Sequence, residues 1–260
     1  MKNTSSYASV NGLKMYYEIQ GTGTPLVLIH GGGSTINTTF GRVLNDFART
    51  HQVIAVEMQA HGHTADIDRP LSFVQDAEDI AELLKQLNIG KANIFGFSNG
   101  ASTALQFAIR HPEMTNKIIV ASSFYKKSGA PDWFWNMMAN PTFESMPRIL
   151  KDEFSKINPD TNALYRMYER DVVRMQSFPD ISDEEMKSIK APAFIIIGDK
   201  DVITAEHAVE MHRLISNSRL SIIPGGHGDY IGEITTPQDS LLIAATVSLI
   251  NKFLNEPVII

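Results

Sequence analysis

Ser98 stands in Gly96-Phe97-Ser98-Asn99-Gly100, where the apolar run "NIFGF" gives way to a helical pattern. Glycines two residues before and two after relieve the crowding of a sharp strand-to-helix turn, and such a turn pushes its central side chain outward. A hydroxyl presented in this way is a poor nucleophile alone. It requires a base, an acid that orients the base, and N–H donors for the oxyanion that forms on attack. The chain supplies candidates in order. "IIPGGHGDY" places His227 after the last strand-like run, flanked by Gly225, Gly226 and Gly228. "IIIGDKDVIT" places Asp199 and Asp201 just past a strand end, and either carboxylate qualifies as the acid. "LIHGGGST" follows the first long apolar run, and its glycine amides can approach a ligand without side-chain interference. Gly32 is the expected oxyanion donor, with Gly33 its near alternative. The amide of Asn99, at the first helical turn, is the second donor.

Other chemistries fit the sequence less well. The glycine loop lacks G-x-x-x-x-G-K-[ST], and no lysine follows it, which argues against a phosphate cradle. His61 and His63 in "AHGHT" have no further ligand at metal spacing, so no metal site is expected. The absence of cysteine excludes a disulfide scaffold, a thiolate site and a cysteine nucleophile. The net charge of −6, without a lysine or arginine cluster, disfavours nucleic acid, a polybasic membrane patch and a polyanionic substrate. "MKNTSSYASVNG" lacks the apolar core of a signal peptide, and "LLIAATVSLI" is too short to span a bilayer. The expectation is a cytoplasmic protein, monomer or homodimer, with a small-molecule substrate and neither a nucleic-acid nor a membrane partner.

The apolar fraction of 43% is enough for a large core. An opening hairpin is predicted from "YASV", the Asn11-Gly12 turn and "LKMYYEIQ". "PLVLIH", "HQVIAVEM", "ANIFGF", "KIIVAS", "AFIIIG" and "LSIIP" follow as strands. Between them, helical spacing runs through "FGRVLNDFART", through "LSFVQDAEDIAELLKQLNI" with a Ser72–Gln75 capping-box pattern, and through "NGASTALQFAIRHP". "AEHAVEMHRLI" and "DSLLIAATVSLINKFL" complete the helices. The alternation predicts an α/β fold with a mostly parallel central sheet of about eight strands, an N-terminal antiparallel hairpin and helices on both faces.

Residues 124–189 break the alternation. They hold no convincing strand and are interrupted by Pro131, Pro141, Pro147 and Pro159. A helical cap insertion is expected there, with 1–123 and 190–260 forming the core. Most of its aromatics are expected to bury the insertion's own core. Trp133, Trp135, Met138 and Phe143 are nevertheless the candidates for an apolar roof over substrate, with Gly33, Phe97 and Asn99 beneath it.

Taken together, these segments resemble the α/β-hydrolase superfamily, over nearly the whole chain from Tyr7 to Leu254. "HGGGS" resembles its oxyanion loop, "EMQAHGHT" its D-x-x-G-H-G-x-S segment and "GFSNG" its nucleophile elbow. "GDKD" resembles the G-x-x-D that ends in the acid, and "GGHGD" the histidine loop. The resemblance implies Ser98 as nucleophile, Asp201 as acid and His227 as base, with no metal or organic cofactor. Glu57, Ala60 and Thr64 stand where the family usually has aspartate, glycine and serine, and Asn99 and Ala101 depart from the common S-M-G-G. None of these changes removes a catalytic group.

The implied activity is carboxylesterase-like: cleavage of a small ester, thioester or lactone through an acyl-enzyme. Carbon–carbon bond hydrolases and prolyl aminopeptidases of the same superfamily are the alternatives. The peptidase reading is weakened by H-G-G-G-S in place of H-G-G-P-G, although Glu144, Asp152 and Glu153 offer acids for an amine. Ser98 itself argues against haloalkane dehalogenases, which need aspartate at that position. A catalytically inactive ligand-binding protein of the same fold is the rival from another class.

Overall fold

A computed structural model describes residues 3–257. β1 (Asn3–Val10) and β2 (Leu13–Gln20) form the antiparallel hairpin. Asn11 and Gly12 turn it with φ of 47° and 85°, the doubly positive geometry that a two-residue turn between right-twisted strands requires. β3 (Thr24–Ile29) leads into two short helices, α1 (Ile36–Phe40) and α2 (Leu44–Phe47), before β4 (His51–Glu57). The single helix expected over "FGRVLNDFART" is therefore not formed as one piece. The chain turns at Gly41–Val43, where a Cβ on Gly41 would lie 2.5 Å from the Asn37 carbonyl oxygen.

α3 (Phe73–Gln86) starts with Ser72 accepting from the Gln75 N–H at 3.0 Å. The predicted capping box is only half made. The Gln75 side chain instead donates to Asp79, a fully buried carboxylate that also binds Arg69 and Asn11 and draws in every nearby donor. β5 (Ala92–Phe97), α4 (Asn99–Arg110) and β6 (Thr115–Ala121) follow. Only helices occupy the stretch to the next strand: α5 (Asp132–Ala139), α6 (Arg148–Ile157), α7 (Thr161–Gln176) and α8 (Asp183–Ser188), with two short 3₁₀ turns. β7 (Ala193–Gly198), α9 (Ala205–Leu214), β8 (Ser218–Ile223) and α10 (Ser240–Asn255) complete the chain.

The eight strands form one sheet in the order β1-β2-β4-β3-β5-β6-β7-β8, parallel from β4 onward. Successive residues of its central strands enter opposite layers. Val27, Ile29, Ile94, Ile118, Val120, Ile195 and Ile197 pack with α3, α4, α8 and α9. Leu26, Leu28, Phe95, Ile119, Phe194 and Ile196 pack with α1, α2 and α10. This double burial is why these strands read as unbroken apolar runs. Because β3, β5, β7 and β8 are parallel, the turns after them all emerge on one edge. Among the described residues, no helix is long and apolar enough to cross a membrane.

One buried cation ties the last helix to the sheet. Lys117 of β6 donates through Nζ to the carbonyls of Phe253, Leu254 and Glu256 at 2.7, 2.8 and 2.5 Å. These belong to the end of α10, where helical carbonyls lack partners of their own. Lys117→Met should strand them, lowering stability by about 2 kcal/mol or more and the thermal midpoint by roughly 4–8 °C. Thermal denaturation followed by circular dichroism measures the change, and an unaltered midpoint contradicts it.

Candidate active site

The site begins with a steric constraint at the end of β5. A Cβ on Gly96 would sit 2.0 Å from the Gly100 carbonyl oxygen, and one on Gly100 would sit 2.1 Å from that of Ile29. Only glycine allows α4 to start this close to the ends of β3 and β5. The turn forces Ser98 to φ 54°, ψ −121°, a strained conformation for an L-residue. Its N–H is held by the Ala121 carbonyl at 2.8 Å, and its hydroxyl remains partly exposed.

His227 reaches this hydroxyl from the loop after β8, with Nε2 3.1 Å from Ser98 Oγ. Its Nδ1 lies 2.7 Å from Asp201 Oδ1. Asp201, past the end of β7, is wholly buried and accepts further hydrogen bonds from the N–H groups of Val202 at 2.7 Å and Gly198 at 3.3 Å. Burial alone would raise its carboxyl. The hydrogen bonds and charge of His227, with Ser122 and Gly198, outweigh burial and hold it below the usual carboxylate range. Asp199, the other sequence candidate, is exposed and accepts from the Gly225 N–H at 2.8 Å, away from the imidazole.

Two residues that the sequence reading did not single out extend this line of contacts. Ser122, with φ 51°, donates from Oγ to Asp201 Oδ2. The buried Tyr230 hydroxyl donates to Ser122 Oγ at 2.6 Å. Burial and the Asp201 charge raise the Tyr230 phenol, which keeps it a donor. Tyr230 sits three residues after His227 in "GGHGDY", whereas a serine after an apolar strand carries no signal of its own.

Gly31 lies beside Ser98, and Gly32 beside the Asn99 side chain. A Cβ on Gly32 would come within 2.4 Å of Asn99 Nδ2, and a Cβ on Gly31 within 3.4 Å of Ser98 Cβ. The Asn99 N–H, at the first position of α4, has no partner within the helix. Gly33 is committed elsewhere: its N–H donates to Asp171 Oδ2 of α7 at 2.5 Å. The Phe97 ring is buried against His227, with centroids 4.9 Å apart.

A cavity of about 140 Å³ opens beside Ser98 and His227. It is lined by Asn99, Ser102, Ser122, Ser123, Phe124, Phe134, Met175, Val202 and Ile203. Trp133, Trp135, Met138 and Phe143 do not line it. Trp133 is 55% exposed. Trp135 turns its Nε1–H to the Lys127 carbonyl and packs on Phe124, Phe134 and Phe178. Met138 packs against the main core from its edge, and Phe143 stacks edge-on with Tyr165 and Tyr168. The apolar faces of this segment bury one another, and Phe124, Phe134 and Met175 are what remain to line the cavity.

His61 and His63 point apart, to Asp171 and Glu57 respectively. No group of three or more metal-binding side chains occurs among the described residues. The departures in this stretch have local reasons. Glu57 accepts from the His63 N–H at 2.6 Å, Thr64 Oγ1 donates to the Glu57 carbonyl at 2.7 Å, and Ala60 keeps the positive φ, 69°, that a glycine adopts more readily.

Residues 24–167 match the family described as alpha/beta hydrolase fold. Human serine hydrolase BPHL is 27% identical over 246 residues, covering 86% of this chain and 79% of its own. The 2-hydroxy-6-oxo-6-(2'-aminophenyl)hexa-2,4-dienoic acid hydrolase of Metapseudomonas resinovorans is 23% identical, covering 95% and 90%. Among solved structures, the enol-lactonase from Burkholderia xenovorans superposes with a TM-score of 0.75 at 20% identity, covering 96% of this chain and all of its own. The chain belongs to the alpha/beta hydrolase fold family and is a hydrolase.

Ser122→Ala removes one of the donors that hold Asp201. It should lower kcat about tenfold, the loss of one charge-assisted hydrogen bond, and leave the far-ultraviolet dichroism unchanged. Steady-state kinetics on a chromogenic ester reads this, and an unchanged kcat contradicts it.

Proposed function

We propose that this hydrolase cleaves a short, uncharged carboxylic ester, thioester or lactone through an acyl-enzyme on Ser98. The carrying observation is the continuous hydrogen-bonded line Ser98–His227–Asp201 opening onto a small cavity. His227 takes the Ser98 proton as Oγ attacks the acyl carbon. The Gly32 and Asn99 amides receive the oxyanion, a contribution typically about 3 kcal/mol per donor. Asp201 fixes the imidazole tautomer and stabilises its charged form. His227 then protonates the departing alkoxide or thiolate, and water repeats the sequence to release the acid. These steps require no metal or organic cofactor. Residues 124–189 act as a cap, contributing Phe124, Phe134 and Met175 to the acyl site.

Size and charge narrow the substrate. A cavity of about 150 Å³ holds a benzene-sized group, so 140 Å³ suits an acyl chain of roughly six carbons or fewer. Among the described residues, no lysine, arginine, aspartate or glutamate lines it. A dienoate such as the one named for the Metapseudomonas relative needs a cation for its carboxylate, and Arg174, the buried guanidinium nearby, is already paired with Asp76 and Asp171. A prolyl peptide needs an acid for its amine, but Glu144 and Asp152 are exposed and Glu153 pairs with Lys156. The neutral ester therefore ranks ahead of both.

Three measurements test the reading. A fluorophosphonate should add once, at Ser98, and Ser98→Ala should lower turnover by about 10⁴-fold or more while the protein stays folded. A binding protein without activity would take no label. In a panel of p-nitrophenyl esters beside prolyl amides and a vinylogous diketone acid, acyl chains of about two to six carbons should react fastest. Preference for a long chain, the amide or the diketone would overturn the substrate assignment.

A further inference from the structure

Beneath the oxyanion loop lies a group of buried charges that the acyl-transfer steps do not use. His61 is completely buried. Its Nδ1 is 2.8 Å from the Gln59 carbonyl oxygen, and its Nε2 is 2.9 Å from Asp171 Oδ2. A carbonyl and a carboxylate can only accept, so the ring must donate from both nitrogens, which only an imidazolium does. The same Asp171 oxygen accepts the Gly33 N–H at 2.5 Å. The other oxygen accepts from Arg174 Nη2 at 2.5 Å, and Arg174 Nη1 reaches Asp76 at 2.9 Å.

Three successive glycines, Gly31 to Gly33, make the loop pliable, whereas an oxyanion donor works only when its direction is fixed beforehand. Gly33 has φ 63°, and no side chain of its own can hold it. Its anchor arrives from α7, 138 residues away along the chain. We infer that Asp171, held in place by a buried His61 imidazolium, is a positioning residue for the oxyanion loop: it pins the Gly33 N–H and so orients the adjoining Gly32 amide toward Ser98. The inference rests on the acyl-transfer reading above. It adds that the seating of α7 and the competence of the oxyanion loop are one event.

The charge balance around His61 gives this latch a pH dependence. Burial and the Arg174 charge push the imidazole down, but the Asp171 charge and hydrogen bond, with the Gln59 carbonyl, outweigh them and hold it above the usual histidine value. Burial would raise Asp171, yet His61, Arg174 and the Gly33 N–H keep it well below the carboxylate range. His30, with its ring 4.9 Å from that of His61, is pushed down to about 3 by burial and by His61, and stays neutral. Asp76, facing the cluster from α3, is pushed up to about 6 by burial, with Arg174 opposing. A raised histidine is fully charged below the ordinary histidine value and loses its charge as pH rises through the raised one. The latch is therefore closed at lower pH and released as pH rises.

The experiment combines one spectrum and three variants. Long-range ¹H–¹⁵N correlation of histidine-labelled wild type at pH 7 should show one buried ring, altered in Asp171→Asn, protonated at both nitrogens. A neutral ring overturns the inference. Asp171→Ala should lower kcat by about 10- to 100-fold, the effect of misplacing a preorganised group, with KM within about twofold. Affinity for a trifluoromethyl ketone should fall by the same factor, while affinity for the product acid is unchanged. Asp171→Asn, which keeps an acceptor for Gly33, should lose less, and its alkaline limb should move to lower pH. Arg170→Ala breaks the Arg170–Asp66 pair, which also fastens α7 but does not touch the loop, and should leave kcat unaltered. Asp171→Ala matching wild type, or Arg170→Ala matching Asp171→Ala, overturns the inference. If wild type itself neither turns over esters nor labels at Ser98, the acyl-transfer reading fails instead.

Discussion

The structure turns on one close approach, the N-terminus of α4 against the ends of β3 and β5. Gly96 and Gly100 leave no room for a single additional carbon on either side, because backbone oxygens already occupy the space. From that contact follow the strained Ser98 backbone, the exposed hydroxyl and the unpaired helix-start amide of Asn99. It also places the glycine loop after β3 beside the serine, since β3 and β5 are neighbours in the sheet. The strain is local and is repaid by the surrounding two-layer core, which buries β3, β5, β6 and β7 almost completely.

Around this turn, polar groups are buried only in company. Asp201 has the imidazole on one side, a serine on the other and three backbone N–H groups besides. Tyr230 closes the row from below. Isolated, any of these groups would lose several kcal/mol of hydration on burial; connected, they hold each other in fixed protonation and rotamer states. The same logic governs the ionic group at α7, where His61, Asp171, Arg174 and Asp76 follow one another as paired partners.

Much of this architecture was legible in the residues. Double burial leaves continuous apolar runs, and glycine, proline and Asn-Gly punctuate them, so strands such as Ala92–Phe97 and Ala193–Gly198 announce themselves. Ser98, Asp201 and His227 could be placed because each follows a strand end in a loop of small residues, and the structure brings the three together. Helix continuity across Gly41 was not legible, because apolar spacing persists through a turn that only tertiary contacts impose. The cavity lining was misjudged for a similar reason. Trp133, Trp135 and Phe143 differ from Phe134 in which neighbours they meet, and nothing in their spacing says so. Asp171 is one of two acids on a polar helix, and its meaning comes wholly from a partner loop far away in sequence.

The uncharged lining of the cavity bears on how a catalytic cycle ends. Hydrolysis of an ester there would create an anion inside walls that offer it hydroxyls, amides, an imidazole and hydrocarbon but no lysine or arginine, with the ionised Asp201 just behind the imidazole. A carboxylate in such surroundings is poorly solvated and repelled by a like charge. Departure into water would run downhill, so the enzyme would clear its own product and resist clogging as acid accumulates.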